Sequence, residues 1–198
     1  MMHLLEKKWI CRVASIDDAK MMANIYNETL SIGGHSPQLT LATEIELCRM
    51  INLYKSKGWP IWIVIYNNFI AGWLNIKPIS WGYDTCHQTG DVSIYIHHKR
   101  YGSRAAILLS LIAYDNALRY GFNVLTCWIM SSNLASLALA KGFGMKQWGE
   151  LPGIINFGGI TSDLHIFGGR FDDTLWCEHM DNLHQKMSRL RDINSLKI

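Results

Sequence analysis

Apolar and polar positions alternate from Trp9 to Ala14, a two-residue period that predicts an opening strand. Ser15, followed three residues later by Asp18, gives a capping-box-like start to a helix running to about Leu30, with Ile16, Met22, Ile25 and Tyr26 among its apolar positions. Ser31-Ile32-Gly33-Gly34-His35-Ser36-Pro37 then reads as a loop, rich in glycine and ended by proline. Ile45, Leu47, Met50, Ile51 and Tyr54 restore a helical period up to Lys57-Gly58. Trp59 to Tyr66 and Phe69 to Lys77 are rich in β-formers, and the Asn67-Asn68 pair between them tolerates positive φ, so they predict an antiparallel hairpin. After a loop from Pro78 to Gln88, Thr89 to Ile96 is a strand with Asp91, Ser93 and Tyr95 on one face and Val92, Ile94 and Ile96 on the other.

From Gly102 to Tyr120 the period turns helical on two stripes, Ala105, Leu108, Leu109, Ile112 and Ile107, Leu111, Tyr114, Leu118, which predicts a helix covered on more than one side. A strand over Asn123 to Ile129, a short helix over Asn133 to Lys141 and two strands near Met145 to Gly149 and Ser162 to Phe167 complete the pattern. This order lacks the strict strand-helix alternation of a doubly wound domain and predicts an α+β fold with a mixed, mostly antiparallel sheet flanked by helices. Beyond it, Trp176, Met180, Leu183, Met187 and Leu190 form a seam at helical spacing, so residues 1–170 are expected as the domain and 171–198 as a C-terminal helical extension. The seam needs cover, either from its own domain or from a second copy. A core that closes without the tail favours the second copy, and a homodimer is expected.

Composition narrows the function. A chain of 198 residues, 49% hydrophobic and 18% charged, can bury enough apolar surface to fold as one domain. Its apolar runs fall short of the roughly 20 residues a bilayer core requires, and Glu6, Lys7 and Lys8 stand where a signal peptide would be apolar. A soluble cytoplasmic protein is expected, without membrane contact. The net charge of +3 is scattered and His97-His98-Lys99-Arg100 is the only basic cluster, too small for a duplex-binding face, so no nucleic-acid partner is expected. Five cysteines, odd in number and never spaced C-x-x-C, read as reduced core thiols. Eight histidines without H-x-x-x-H or H-E-x-x-H spacing predict no metal site, and His97 and His98, adjacent at a strand end, would point apart.

The junction between the strand ending at Ile96 and the helix opening near Gly102 carries the most chemistry. A basic, glycine-containing turn before a helix N-terminus is a layout for phosphate, because unpaired backbone N–H groups and the positive dipole end converge there. Neither G-x-x-x-x-G-K-[ST] nor G-x-G-x-x-G occurs, which disfavours a P-loop NTPase or a Rossmann dinucleotide enzyme.

Tyr26-Asn27, Asp91-Val-Ser-Ile-Tyr-Ile96, Asn133-Leu-Ala-Ser-Leu-Ala-Leu139 with Gly144, and Asp163-Leu-His-Ile-Phe167 follow one another in an order and spacing that resembles the phosphinothricin-type branch of the GNAT N-acyltransferase superfamily, over about residues 9–168. The resemblance implies an acyl-CoA donor, acetyl-CoA or a short-chain acyl-CoA, whose pantetheine arm runs beside Ile94 and Ile96 in the splay between two strands. It implies a pyrophosphate site at Tyr101, Gly102, Ser103, Arg104, Ala105 and Ala106, with Asn133 and Ser136 along the donor. Within that loop Tyr101 replaces the family's Gln or Arg, and Arg104 replaces its inner glycine. The Arg104 guanidinium is expected to bind phosphate itself, the other reading being a clash. Asp91 takes the place of the branch's acidic residue, either as general base toward an amine or as an ordinary strand-start aspartate; its short side chain favours a water relay, with Ser93 and Tyr95 orienting that water. Ala140 stands where many relatives carry the acid for the leaving thiolate, and His165 is either a substitute acid or a structural histidine.

The acceptor side is expected at Gly34 and His35, in a loop that departs from the family's, and at Trp73 and Trp81, whose flat faces suit rings or simply fill the core. The expected reaction is transfer of an acetyl or short acyl group to the primary amine of a small polar acceptor, with a nucleotide-linked amino sugar favoured. The alternatives are a phosphinothricin-type amino acid and a non-catalytic acyl-CoA-binding or scaffold role.

Overall fold

The structure, a computed structural model, describes residues 9–31, 36, 39–79, 84–157 and 159–189. Seven strands form one sheet: β1 (Trp9–Val13), β2 (Ile61–Tyr66), β3 (Phe69–Pro78), β4 (Thr89–Ile96), β5 (Val124–Met130), β6 (Lys146–Phe157) and β7 (Ile160–Arg170). Their spatial order is β1-β2-β3-β4-β5-β7-β6, and every neighbouring pair is antiparallel except β4 and β5. This is the expected α+β architecture with a mixed, mostly antiparallel sheet.

The sheet is covered on both faces, and β2 shows how the sequence divides between them. Ile61 and Ile63 join Met22, Ile25, Leu47 and Ile51 beneath α1 (Ala19–Ser31) and α2 (Glu44–Lys57). Trp62 and Val64 point the other way, onto α3 (Ala105–Ala117). A strand buried on both faces has no polar alternation to show, and all of Ile61 to Val64 is buried. The hairpin that follows turns on Asn67 and Asn68 at φ of 49° and 62°, the double positive φ of the turn whose twist matches paired strands. Around α1, Asp18 takes the N–H and O–H of Ser15 and a bidentate pair from Arg12 at 2.7 and 2.8 Å, fixing the helix start to β1.

Two expectations change. β6 and β7 are far longer than the short strands predicted, because β6 is an edge strand, largely exposed, with register shifts between Gln147 and Gly149 and between Leu151 and Ile155. Gly149, Pro152 and Gly153 break its period, so the alternation that would reveal it is absent. The tail folds as α5 (Thr174–Arg189), and its seam packs inward: Trp176, Met180 and Met187 are buried in the same cluster as α3, with Leu183 against it. Trp176 donates from Nε1 to the Phe143 carbonyl at 2.8 Å, and Lys146 bridges Asp173 at 2.7 Å. The stripe that argued for a second copy is therefore covered by its own domain, and Leu190 lies outside the described residues. The missed point is that α5 packs beside α3 and lines, with α3 and α4 (Leu134–Gly142), one cavity.

No helix among the described residues is long and apolar enough to cross a membrane. The five cysteines are free, but only Cys11 is buried in the core and the others are half-buried; burial pushes the Cys11 thiol up to about 12.

Because Trp176 is 5% exposed and hydrogen-bonded, Trp176→Ala is expected to cost about 3–5 kcal/mol, lowering Tm by about 2–4 °C per kcal/mol in a thermal melt. An unchanged Tm would show that α5 adds nothing to the core.

Candidate functional site

β4 and β5 pair in parallel only at Thr89↔Val124, Gly90↔Leu125 and Asp91↔Thr126. At this vertex the Thr126 hydroxyl donates to the Gly90 carbonyl at 3.2 Å. A Cβ on Gly90 would stand 2.6 Å from Ile76, so only glycine lets β4 lie this close to its neighbours. Beyond Asp91 the strands diverge and leave a cavity of about 480 Å³ that passes through the sheet. On the α1 side its walls include Tyr26, Ser36, Asp91, Ser93 and Tyr95; on the α3 and α4 side they include Ile94, Asn133, Ser136, Ala140 and Cys127. Tyr114, Phe143, Trp176 and Met180 line it too, so α5 contributes to the site. Asn133 caps α4, its Oδ1 accepting the Ser136 N–H at 3.1 Å, which fixes both residues at the cavity wall.

A second cavity, of about 360 Å³, opens on the α1 and α2 side and shares Tyr26, Ser93 and Tyr95 with the first. Its floor comes from register: Trp73, Asn75 and Lys77 of β3 stand opposite Tyr95, Ser93 and Asp91 of β4. Trp73 is buried, donates to the Met22 carbonyl at 3.2 Å and stacks on Tyr95 with centroids 4.2 Å apart. It is a wall held by the core, and it lines the second cavity. Asn75 donates to the Tyr54 hydroxyl at 3.0 Å, and Glu46 lies at the rim beside its own cap on Thr43.

Burial raises the Asp91 carboxyl above the ordinary aspartate value, with the Lys77 charge opposing but not cancelling the shift. Burial also pushes Tyr54 up to about 12 and Tyr95 higher still, so both are neutral donors at neutral pH. The Cys127 thiol, pushed up to about 12 by burial, is no nucleophile. The arrangement offers a carboxylate with raised basicity in the wall of the first cavity, and among the groups around it Asp91 is the one suited to take a proton from an ammonium.

At the mouth of the splay the chain makes a turn over His97–Arg104. Gly102 adopts φ +70°, which explains its presence, whereas Arg104 is at φ −69°, an ordinary helical value. The backbone here does not demand the glycine that Arg104 replaces. Ala105 is fully buried and its N–H reaches the Ser103 hydroxyl at 3.3 Å, so its expected phosphate contact is already partly occupied. The N–H groups of Ala106 and Ile107 belong to the first turn, which a helix leaves without internal partners.

Of the residues expected from sequence, the first cavity gathers Asp91, Ser93, Ile94, Tyr95, Asn133 and Ser136. Ile96 instead packs into the core over Gly72, while Tyr101 to Ala106 form the turn and helix start. Gly34, His35 and Trp81 lie outside the described residues. His165 lines neither cavity; its ring faces Gln147 at 3.0 Å and Glu150 at 3.7 Å on β6, the structural reading. His97 and His98 do not point apart: the chain leaves the strand at Ile96, so strand alternation no longer applies, and the rings lie 4.5 Å apart, both toward Glu28. Sequence reasoning missed Glu28, Tyr54, Asn75 and Lys77. The last two could have been found by pairing β3 against β4 and asking what stands opposite Ser93 and Asp91.

No protein-family model matches the chain. It is 26% identical over 158 residues to YwnH of Bacillus subtilis, provisionally named a phosphinothricin acetyltransferase, covering 79% of this chain and 96% of that one. The structure of yncA of Salmonella typhimurium, provisionally named an acetyltransferase, with its cofactor acetyl-CoA superposes with a TM-score of 0.78 at 21% identity, over 83% of this chain and 95% of the other. A GNAT superfamily phosphinothricin acetyltransferase from Sinorhizobium meliloti, in complex with acetyl-CoA, gives 0.76 at 17% identity over 84% and 89%. At these identities the solved structures establish the fold.

Because the Lys77 cation favours the ionised form of Asp91, Lys77→Met is expected to raise that carboxyl further. A carbon-detected NMR titration of the aspartate side chains reads the shift; a downward one would show that Lys77 does not face Asp91 in solution.

Proposed function

We propose, since the chain belongs to the GNAT N-acyltransferase superfamily and within it to the phosphinothricin acetyltransferase-like branch, that it transfers the acetyl group of acetyl-CoA to the primary amine of a small acceptor of amino-acid type. The observation that carries this reading is Asp91: a carboxylate of raised basicity at the vertex of a through-going cavity, beside a second cavity on the opposite side of the sheet from α3. The residues present suit acyl-CoA. The open splay would accept an extended chain, and the turn with the first-turn amides of α3 would hold a pyrophosphate at its mouth. Ile94, Asn133 and Ser136 would flank the pantetheine arm, and Arg104 would reach the phosphates.

Bound there, acetyl-CoA supplies the thioester whose carbonyl accepts the amine and whose thiolate leaves. Asp91 takes the ammonium proton, directly or through a water held by Ser93 and Tyr95, and so generates the neutral amine. As the C–N bond forms and the C–S bond breaks, the nitrogen gives its second proton to solvent, and because Ala140 brings no acid to the cleft the thiolate takes its proton from solvent. In the acceptor cavity Lys77 offers a cation and Asn75 an amide near Asp91, a set that holds a carboxylate while the amine faces the base. This favours an amino acid over the nucleotide-linked amino sugar expected from the tryptophans, which no named relative supports. A role without catalysis would leave Asp91 buried without purpose.

Acetyl-CoA with a panel of amino acids and amino sugars, followed by thiol release, tests the reading; binding without release on any amine would overturn it. Asp91→Asn is expected to lower kcat by about 10²- to 10⁴-fold with acetyl-CoA affinity little changed, and to abolish the acidic limb of the pH–rate profile, where the raised carboxyl loses activity as pH falls. An unchanged profile would remove Asp91 from the mechanism. Arg104→Ala is expected to weaken acetyl-CoA by about ten- to a hundredfold in calorimetry, and equal or tighter binding would show obstruction instead.

A further inference from the structure

Three consecutive residues of α1 reach three parts of the site, because successive helical side chains diverge by about 100°. Tyr26 packs on Tyr95 at 5.2 Å between centroids and lines both cavities. Asn27 clamps the segment before α2, donating to the Ala42 carbonyl at 2.9 Å and accepting its N–H at 2.8 Å. Glu28 reaches the turn at the mouth of the splay. Its Oε2 accepts the His98 N–H at 2.9 Å, and its Oε1 lies 3.0 Å from His98 Nδ1 and 3.4 Å from His97 Nε2. His97 is itself buried, its N–H donates to the Ala71 carbonyl at 3.0 Å, and its ring packs on Phe69.

The three side chains bring their ligand atoms within 4.8 Å of one another, which is also the spacing of a cation site. The hydrogen bonding argues otherwise. His97 Nδ1 accepts the Lys99 N–H at 3.2 Å, which puts the ring proton on Nε2, and an Nε2 that carries a proton faces Glu28 as a donor with no lone pair for an ion. One backbone N–H and two imidazole rings gather on one carboxylate.

We infer that Glu28 is a positioning residue of the donor site: it buckles the His97–Arg104 turn to α1, so that the amides at the start of α3 stand ready for the pyrophosphate. The inference rests on the acyl-CoA reading above and adds to it a residue that touches neither donor nor acceptor. The geometry explains why an acid of α1 reaches a turn that would receive an anion. Lys99 and Arg100 repel one another, and a single carboxylate that takes the His98 N–H and lies 3.4 and 3.0 Å from the two imidazoles holds this stretch in one arrangement, at the cost of some attraction for phosphate. Arg100 is drawn aside over the Tyr66 ring at 4.4 Å, on the strand side of the same turn.

Charge and positioning predict opposite outcomes, which makes the test decisive. Acetyl-CoA affinity by calorimetry, and S-acetylpantetheine affinity by ligand-observed NMR, are measured for wild type, Glu28→Ala and Glu28→Gln, with circular dichroism to verify folding. Positioning predicts that the alanine variant loses about tenfold toward acetyl-CoA and nothing toward S-acetylpantetheine, which lacks the pyrophosphate. The glutamine variant, whose amide oxygen still accepts the His98 N–H, stays within about threefold of wild type. Equal or tighter acetyl-CoA binding by the alanine variant overturns the inference in favour of charge. So does a proportional loss of both ligands, or a glutamine variant as weak as alanine. If the wild type binds neither ligand, the acyl-CoA reading itself falls and takes the inference with it.

Discussion

The molecule depends on one parallel contact in a sheet that is otherwise antiparallel. Two parallel neighbours need a crossover between them, and here that crossover is α3, which carries the chain from the end of β4 back to the start of β5. Three residue pairs hold β4 to β5, and the stitch from Thr126 to Gly90 ends the pairing where divergence begins. A sheet normally leaves no passage between its faces, because each backbone group is spent on a neighbour. Splaying one pair opens a passage, and the unpaired backbone edges of 92–96 and 127–130 become hydrogen-bonding surface for whatever fills it.

What stands around the vertex gives Asp91 its chemistry. An exposed aspartate would be ionised well below neutrality and would hold a proton poorly. Removal from water raises its proton affinity, and Lys77 on the neighbouring strand limits how far that rise goes. The aromatic wall of Tyr26, Trp73 and Tyr95 keeps solvent from the same face, so the packing that stabilises the α1 side of the core also tunes the carboxylate.

The sequence made visible whatever repeats with a period. Thr89 to Ile96 matched its strand end to end, and Asp91, Ser93, Ile94, Tyr95, Asn133 and Ser136 were identified and are brought to one cavity. Family resemblance carried that identification further than periodicity alone, since a strand with three polar residues on one face has many uses. Asn75 and Lys77 were hidden because their meaning depends on register across a connection, 79–88, whose path no local pattern dictates. Glu28 was hidden for a stronger reason: its partners lie 70 residues away, and nothing about an acid on a helix announces a histidine turn beyond it. The inward turn of the α5 seam escaped because amphipathicity states that a face must be covered and is silent about by what.

The irregular edge strand β6 has a consequence for how the molecule meets its own copies. An uninterrupted twelve-residue edge would offer a ladder of free N–H and C=O groups to any passing strand, and would invite sheet-to-sheet polymerisation. Here the ladder is broken at two register shifts, Pro152 lacks a donor, and Lys146 and Glu150 place charge along it. The distortions that erase the strand's sequence signature therefore act as a guard, leaving β6 long enough to wall the cleft from the side of β7 and too uneven to template another chain.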